Sequence, residues 1–577
     1  MKRIARFDDA GFRRRAGLIV AGLVWLALLA VGAGLPTVRT RTGMVISASD
    51  VASKVGAQVL GEGGNVVDAA VATALALAVT HPTAGNIGGG GFLLARFTNG
   101  QAVAYDFRET APGAAGPMMF MTNAVYDPGL HHNSYRSVGV PGTVAGLYLA
   151  WEQHGGKNLP WKRLVEPAVR LAWDGFTVSE GLARSLKVGL LQETTNAAAL
   201  EQFSRQGRPY AAGDTLRQPL LAATLERIAK EGPAGFYEGA TARAIADEIG
   251  AHGGLMTLED LKGYKARAVT NLVRGTYRGY EVISMPPPSS GGVCLVELLN
   301  ILEGYDLAGM EWGSVTNVHR MAEAMKRVYA DRARYLGDPY APFNTNLPLE
   351  RLVSKWYAAG LRRTISDGQT RASSTNFAWR NEGAETTHLS VVDGVGNAVS
   401  LTYTLEERYG LKVVVPGAGF LLNNELGDFN AAPGLTTTNG LIGTPPNLAQ
   451  PFKRPLSSMT PTIVLKDGRV FMVTGSPGGR SIIGTVLETI VNVVDFGMNA
   501  QEAVDAGRFC HEWFPDEIAY ERSALSADAL RGLRAKKHRL REIKSQGVAE
   551  VIVFDAVRNA WEGGCDRREA DGGVGLP

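Results

Sequence analysis

Apolar positions near the start of the folded region recur at helical spacing. Val51, Val55 and Val59 share one face behind Ser49 or Asp50, either of which can cap, and Gly61 stops the run. Asn65 predicts the next cap, with Asp68 three residues on. Residues 69–79 are then apolar all round, the pattern of a helix buried in a large core, and too short and Ala-rich for a membrane span. Gly88-Gly89-Gly90-Gly91 precedes a β-prone run at 92–97. Its spacing fits neither a dinucleotide loop nor a P-loop, so it predicts a close crossing of backbones. Residues 141–375 read as mainly helical, with a Pro-rich break at 286–292. After a polar loop at 367–385 the chain turns to β-prone apolar runs. Asp393-Gly394 to Asn397 joins two strands, and Lys466-Asp467-Gly468 joins 461–465 to 469–474. Helical spacing returns at 482–494. Strands followed by packed helices give an α+β layered fold.

The N-terminus follows a different rule. Lys2, Arg3, Arg6 and Arg13-Arg14-Arg15 form a basic segment (1–15) before an uncharged apolar stretch at 16–35, long enough as helix to span about 30 Å of hydrocarbon. The basic flank stays cytoplasmic, so the bulk of the chain is exported, periplasmic or extracytoplasmic, and tethered to the inner membrane. The alternative is a signal peptide cleaved near Ala30-Val31-Gly32. Residues 36–43 serve as a linker.

With 577 residues the chain can build several domain-sized cores, and 45% hydrophobic with 20% charged residues is ordinary for a globular protein. A net charge of +3 and no basic stripe exclude a nucleic-acid footprint. The odd set Cys294, Cys510 and Cys565 argues against a disulfide framework and reads as buried or harmless thiols, with room for one bridge in an oxidising compartment.

Candidate chemistry centres on Thr386. A threonine hydroxyl is a weak nucleophile unless a base adjoins it, and a chain break after Glu385 would make the freed α-amine that base. The developing oxyanion needs backbone N–H donors. Residues 475–481, leaving a strand and opening a helix, can supply them. Taken alone, Thr386 reads as a strand-edge threonine.

The motifs 386–393, Leu421-Leu422-Asn423-Asn424-Glu425, 453–462 and 474–479, with 65–70, Thr80-His81-Pro82 through Gly91, and 106–112, resemble the γ-glutamyltranspeptidase family, in order and from about Met44 to the C-terminus. The resemblance implies an N-terminal-nucleophile hydrolase. Its fold would be a four-layer αββα sandwich, self-cleaved between Glu385 and Thr386 into a large (44–385) and a small (386–577) subunit. By the same resemblance, Arg108 binds the α-carboxylate of a γ-glutamyl donor, and Ser457 and Ser458 add hydroxyl donors. Glu425 and Asp428 take the α-ammonium. Gly478 and Gly479 form the oxyanion hole, Thr404 orients Thr386, and Thr387 neighbours the site. The implied substrates are a glutathione-like donor and water, an amino acid or a dipeptide as acceptor, with no metal or organic cofactor.

Two positions depart from the family pattern. Glu406 stands where the pattern carries Asn as a substrate ligand; a carboxylate there pairs with the ammonium rather than donating to the carboxylate. In the lid-like loop, Asn439 stands where some members carry a gating aromatic. These leave open an acylase acting on β-lactam side chains or poly-γ-glutamate, and a non-catalytic scaffold is a third reading. His131-His132 reads as a solvated loop pair, His388 as structural, and Asp338-Pro339 as a turn.

Overall fold

The computed structural model describes residues 37–344, 346–373, 385–435, 437, 441 and 443–577; the apolar stretch at 16–35, most of the loop before Thr386, and Asn439 lie outside them. Among the described residues no helix is long and apolar enough to cross a membrane.

Ser49 accepts from the Ala52 amide and opens α1 (Asp50–Gly61). Asn65 and Asp68 close a reciprocal capping box at the start of α2 (Val66–Thr80). Every residue of α2 is buried, as its all-round apolar pattern requires. Both helices pack on one face of a seven-stranded antiparallel sheet. Its order is β4 (Arg267–Val269), β3 (Ala102–Phe107), β2 (Gly90–Arg96), β8 (Ala398–Glu406), β7 (Glu385–Asp393), β1 (Gly43–Ser47) and β13 (Gly573–Gly575). The other face meets a second sheet. There, six strands run in the order β12 (Ala560–Cys565), β11 (Glu550–Asp555), β10 (Arg469–Thr474), β9 (Thr462–Lys466), β6 (Tyr280–Ser284) and β5 (Val273–Tyr277). α3 (Gly291–Leu302) covers β5 and β6 from outside, and α4 (Val315–Tyr335) and α5 (Ile482–Val494) pack on α3. The fold is mixed α+β, and residues Arg39–Pro577 form one compact unit.

Two hairpins follow their turn chemistry. Asp393 gathers the amides of Val395, Gly396 and Asn397 on one carboxylate oxygen, closing the β7–β8 turn. Asp467 (φ 50°) and Gly468 (φ 76°) both take positive φ between β9 and β10, as a type I′ turn demands. The glycine run is a backbone crossing: a Cβ on Gly89 would lie 2.0 Å from the Thr404 carbonyl oxygen, and one on Gly91 2.4 Å from that of Thr402. Any side chain there would drive β2 off β8.

Residues 141–375 are mainly helical, as their pattern predicts, but β4, β5 and β6 also lie among them and each sheet takes an edge strand from this region. The turn signal is present at Arg278 (φ 52°) and Gly279 (φ 81°), joining two β-prone runs that helical neighbours obscure. All three cysteines are free thiols.

Candidate active site

Thr386 sits at an irregularity in the centre of the first sheet. Glu385 pairs with Glu406 and Thr387 with Tyr403, so Thr386 faces two residues, Thr404 and Leu405. The extra residue on β8 breaks the alternation there, and such a bulge re-aims side chains. The Thr386 hydroxyl donates to Thr404 Oγ1 at 3.4 Å, and Thr404 Oγ1 also accepts from the Glu406 amide at 2.8 Å. Both threonines are buried.

Around this pair one cleft collects Arg108, Glu406, Glu425, Asp428, Ser457, Ser458 and Gly479. Gly478 (φ 130°) and Gly479 (φ 54°) both need the left-handed region and lie between β10 and α5, so the expected strand-to-helix turn is present. Thr387 is buried on the neighbouring register position.

Arg108 follows directly on β3 and is fully buried. Its two terminal nitrogens donate to Glu425 Oε1 and Asp428 Oδ2, and Nε donates to the Pro455 carbonyl at 3.2 Å. Burial opposes the Arg108 charge, but Glu425, Asp428 and Glu109 outweigh it and hold the guanidinium firmly protonated. Burial pushes the Glu425 and Glu109 carboxyls upward, against the pull of Arg108; the charge of Glu109 adds to the rise at Glu425, and that of Asp428 to the rise at Glu109. They titrate as a pair.

Supports of this site lay outside the sequence reading. Arg454 forms a buried ion pair with Asp106, and Asp106 Oδ1 accepts the Arg108 amide at 3.0 Å, so the Ser457-bearing segment is tied to the end of β3. Asp338 does form a turn onto Tyr340, and its other oxygen accepts the Arg454 amide at 2.8 Å. Ion pairs between residues hundreds of positions apart leave no local signal. Arg332 of α4, buried among helical residues, donates to Ser458 Oγ at 2.8 Å.

His131 and His132 correct one expectation, for they are not a solvated pair. His131 is buried, donates through Nε2 to the Phe429 carbonyl at 3.0 Å and packs on Phe120. His132 Nδ1 lies 3.7 Å from Glu406 Oε1. His132, Glu406 and Glu407 offer ligand atoms within 4.8 Å of one another, a grouping their separation in sequence conceals.

His388 is structural. Ser390 spends its proton on the Glu550 carbonyl, so His388 Nε2 donates to Ser390 (3.1 Å) and Nδ1 accepts from Thr402 (2.8 Å), the arrangement of a neutral ring. Burial lowers its pKa from 6.5 to about 3. The unfolded chain therefore binds the extra proton between those values. This contribution to stability is complete above about pH 6.5 and is lost as pH falls toward 3. In His388→Gln, the slope of unfolding free energy against pH across that window should fall by up to ~1.4 kcal/mol per pH unit, measured by denaturant titration at several pH values.

Similarity to known proteins agrees with this geometry. The family model described as Gamma-glutamyltranspeptidase matches residues 52–576. The chain belongs to the γ-glutamyltranspeptidase family. A glutathione hydrolase proenzyme of Escherichia coli (strain K12) is 45% identical over 541 residues, 92% of each chain. A γ-glutamyltranspeptidase structure from Helicobacter pylori aligns with TM-score 0.55 and 40% identity, over 57% of this chain but 94% of that one. A cephalosporin acylase structure from Bacillus halodurans aligns with TM-score 0.80 and 27% identity, over 94% of this chain and 97% of that one. As a member of the γ-glutamyltranspeptidase family the protein is an enzyme of hydrolase and transferase type.

Proposed function

We propose that the protein is an autoprocessed γ-glutamyl hydrolase and transferase acting on glutathione-like donors. Arg108, clamped between Glu425 and Asp428 beside the Thr386–Thr404 hydroxyl pair, is the observation that carries this reading.

In the precursor, Thr386 Oγ1 adds to the Glu385 carbonyl carbon. The C–N bond breaks to leave an ester, and water releases a chain beginning at Thr386. The new α-amine takes the hydroxyl proton when Thr386 attacks the donor's γ-carbonyl. The oxyanion is held by the amides of Gly478 and Gly479, the amine product leaves, and water or an amino acid or dipeptide takes the glutamyl group. Helices outside both stacked sheets support the four-layer αββα sandwich of N-terminal-nucleophile hydrolases. The H. pylori match, nearly complete for that chain yet 57% of this one, is in keeping with subunits 44–385 and 386–577. Export by way of residues 16–35 completes the reading.

The Arg108 clamp also selects the donor. A zwitterion can exchange pairings: its α-carboxylate takes Arg108 while its α-ammonium takes Glu425 and Asp428, with Glu406 adding negative charge. A donor with the carboxylate alone would strip Arg108 from its partners and leave buried carboxylates uncompensated. This logic disfavours the acylase reading. The high similarity to the solved acylase reflects a match along one nearly full-length chain.

Mass spectrometry of the mature protein should find a polypeptide beginning at Thr386, and glutathione should be turned over at least roughly 100-fold better than a glutaryl amide. An intact chain, or a preference for the glutaryl amide, would overturn the reading.

A further inference from the structure

Arg332 stands at the centre of a donor chain that ends in the cleft. It is fully buried on α4, a helix of twenty-one residues that packs against α3 among other elements. Its Nε donates to Ser290 Oγ at 2.6 Å, and one terminal nitrogen donates to Ser458 Oγ at 2.8 Å. A guanidinium has no acceptor, so both serine oxygens must receive these bonds on lone pairs. Each hydroxyl proton is thereby left for an acceptor other than Arg332. Ser290 spends its proton on the Ser457 carbonyl at 2.6 Å, and the Ser290 amide reaches the same oxygen at 2.7 Å. Arg332 thus fixes the backbone of Ser457 through one arm and the polarity of the Ser458 hydroxyl through the other.

The same helix braces the opposite wall. Tyr329, one turn earlier, donates from its hydroxyl to the Arg480 carbonyl at 2.5 Å, immediately after Gly478 and Gly479. One rigid element therefore sets the spacing between the two serines and the glycine turn, across which a donor must stretch from its carboxylate to its reacting carbonyl.

We propose that Arg332 is a positioning residue for the donor's α-carboxylate: it orients Ser458 as an obligate hydrogen-bond donor toward that group and fixes Ser457 beside it. This rests on the γ-glutamyl reading above and deepens it. Arg332 itself need not touch substrate, because its charge acts through the two hydroxyls and is little screened in a buried setting.

The test compares two chromogenic anilides, γ-glutamyl and 4-aminobutyryl, the second lacking only the α-carboxylate. In Arg332→Gln, kcat/KM for the γ-glutamyl anilide should fall about 10-fold or more, chiefly through KM, while that for the 4-aminobutyryl anilide changes less than about threefold. Adding Ser458→Ala to Arg332→Gln should cost little further, since both remove one interaction. Arg332→Lys keeps the charge and can serve one serine at a time, so it should recover part of the loss. It carries the comparison if Arg332→Gln does not fold. Equal losses on both anilides would overturn the positioning role and leave Arg332 a packing residue. Wild-type protein that neither splits nor turns over the γ-glutamyl anilide would instead overturn the γ-glutamyl reading itself.

Discussion

Thr386→Ala should run as one full-length band, where the wild-type protein runs as two, and should show no turnover above about 0.1% of wild type. The two losses share a cause. Without the hydroxyl, nothing adds to the Glu385 carbonyl, so no chain begins at 386 and no α-amine serves as base. Thr386→Ser keeps an oxygen at the same position and should still split. Its hydroxyl lacks only the methyl group, and Thr404 stays in place to accept from it. Denaturing gels of freshly purified and aged protein, with a colorimetric assay of γ-glutamyl anilide, read both effects. A Thr386→Ala protein that splits normally would move the nucleophile elsewhere.

Arg108→Ala should be the most damaging substitution for stability, by about 3–5 kcal/mol, and should also abolish binding of the donor. The guanidinium is buried against Glu425, Asp428 and, at 3.7 Å, Glu109. Its removal leaves like charges together in a dry site, where the acids can relax only by taking up protons. Folded acids with raised pKa values bind protons that the unfolded chain releases. The deficit of the variant should therefore be greatest at alkaline pH and shrink as pH falls through the carboxylate range. Thermal unfolding midpoints at pH 5 and pH 8 check the direction: a gap between variant and wild type that widens on acidification would contradict the account.

Local chemistry made much of this molecule readable. The Asn65–Asp68 box, the uniformly apolar α2 and the Asp467-Gly468 turn each carry their reason within a few residues, and each stands where the pattern put it. Thr386, Arg108, Glu425 and the Ser457-Ser458 pair could be grouped only because a long ordered resemblance joined them; in isolation Arg108 looks like any surface arginine. What escaped is what depends on distant partners. The hairpin from Val273 to Ser284 has its own turn at Arg278-Gly279, but the helical stretches on either side made the whole region read alike. His131 owes its burial to Phe120 and Phe429. Arg332 carries the same charge as the exposed Arg334 two residues on, and only the folded chain turns it inward.

The strand order of the first sheet has a consequence for how the enzyme matures. β7 and β8, downstream of the proposed scissile bond, lie between β1 and β2, which are upstream of it, and in the second sheet β9 pairs with β6 in the same fashion. The two proposed products would be woven together rather than docked, so severing the peptide link would free neither of them. Their separation would require ladders to be unzipped on both flanks of the nucleophile, a disruption equivalent to unfolding. Cleavage at the proposed bond would therefore be a one-way event that leaves no exchangeable halves.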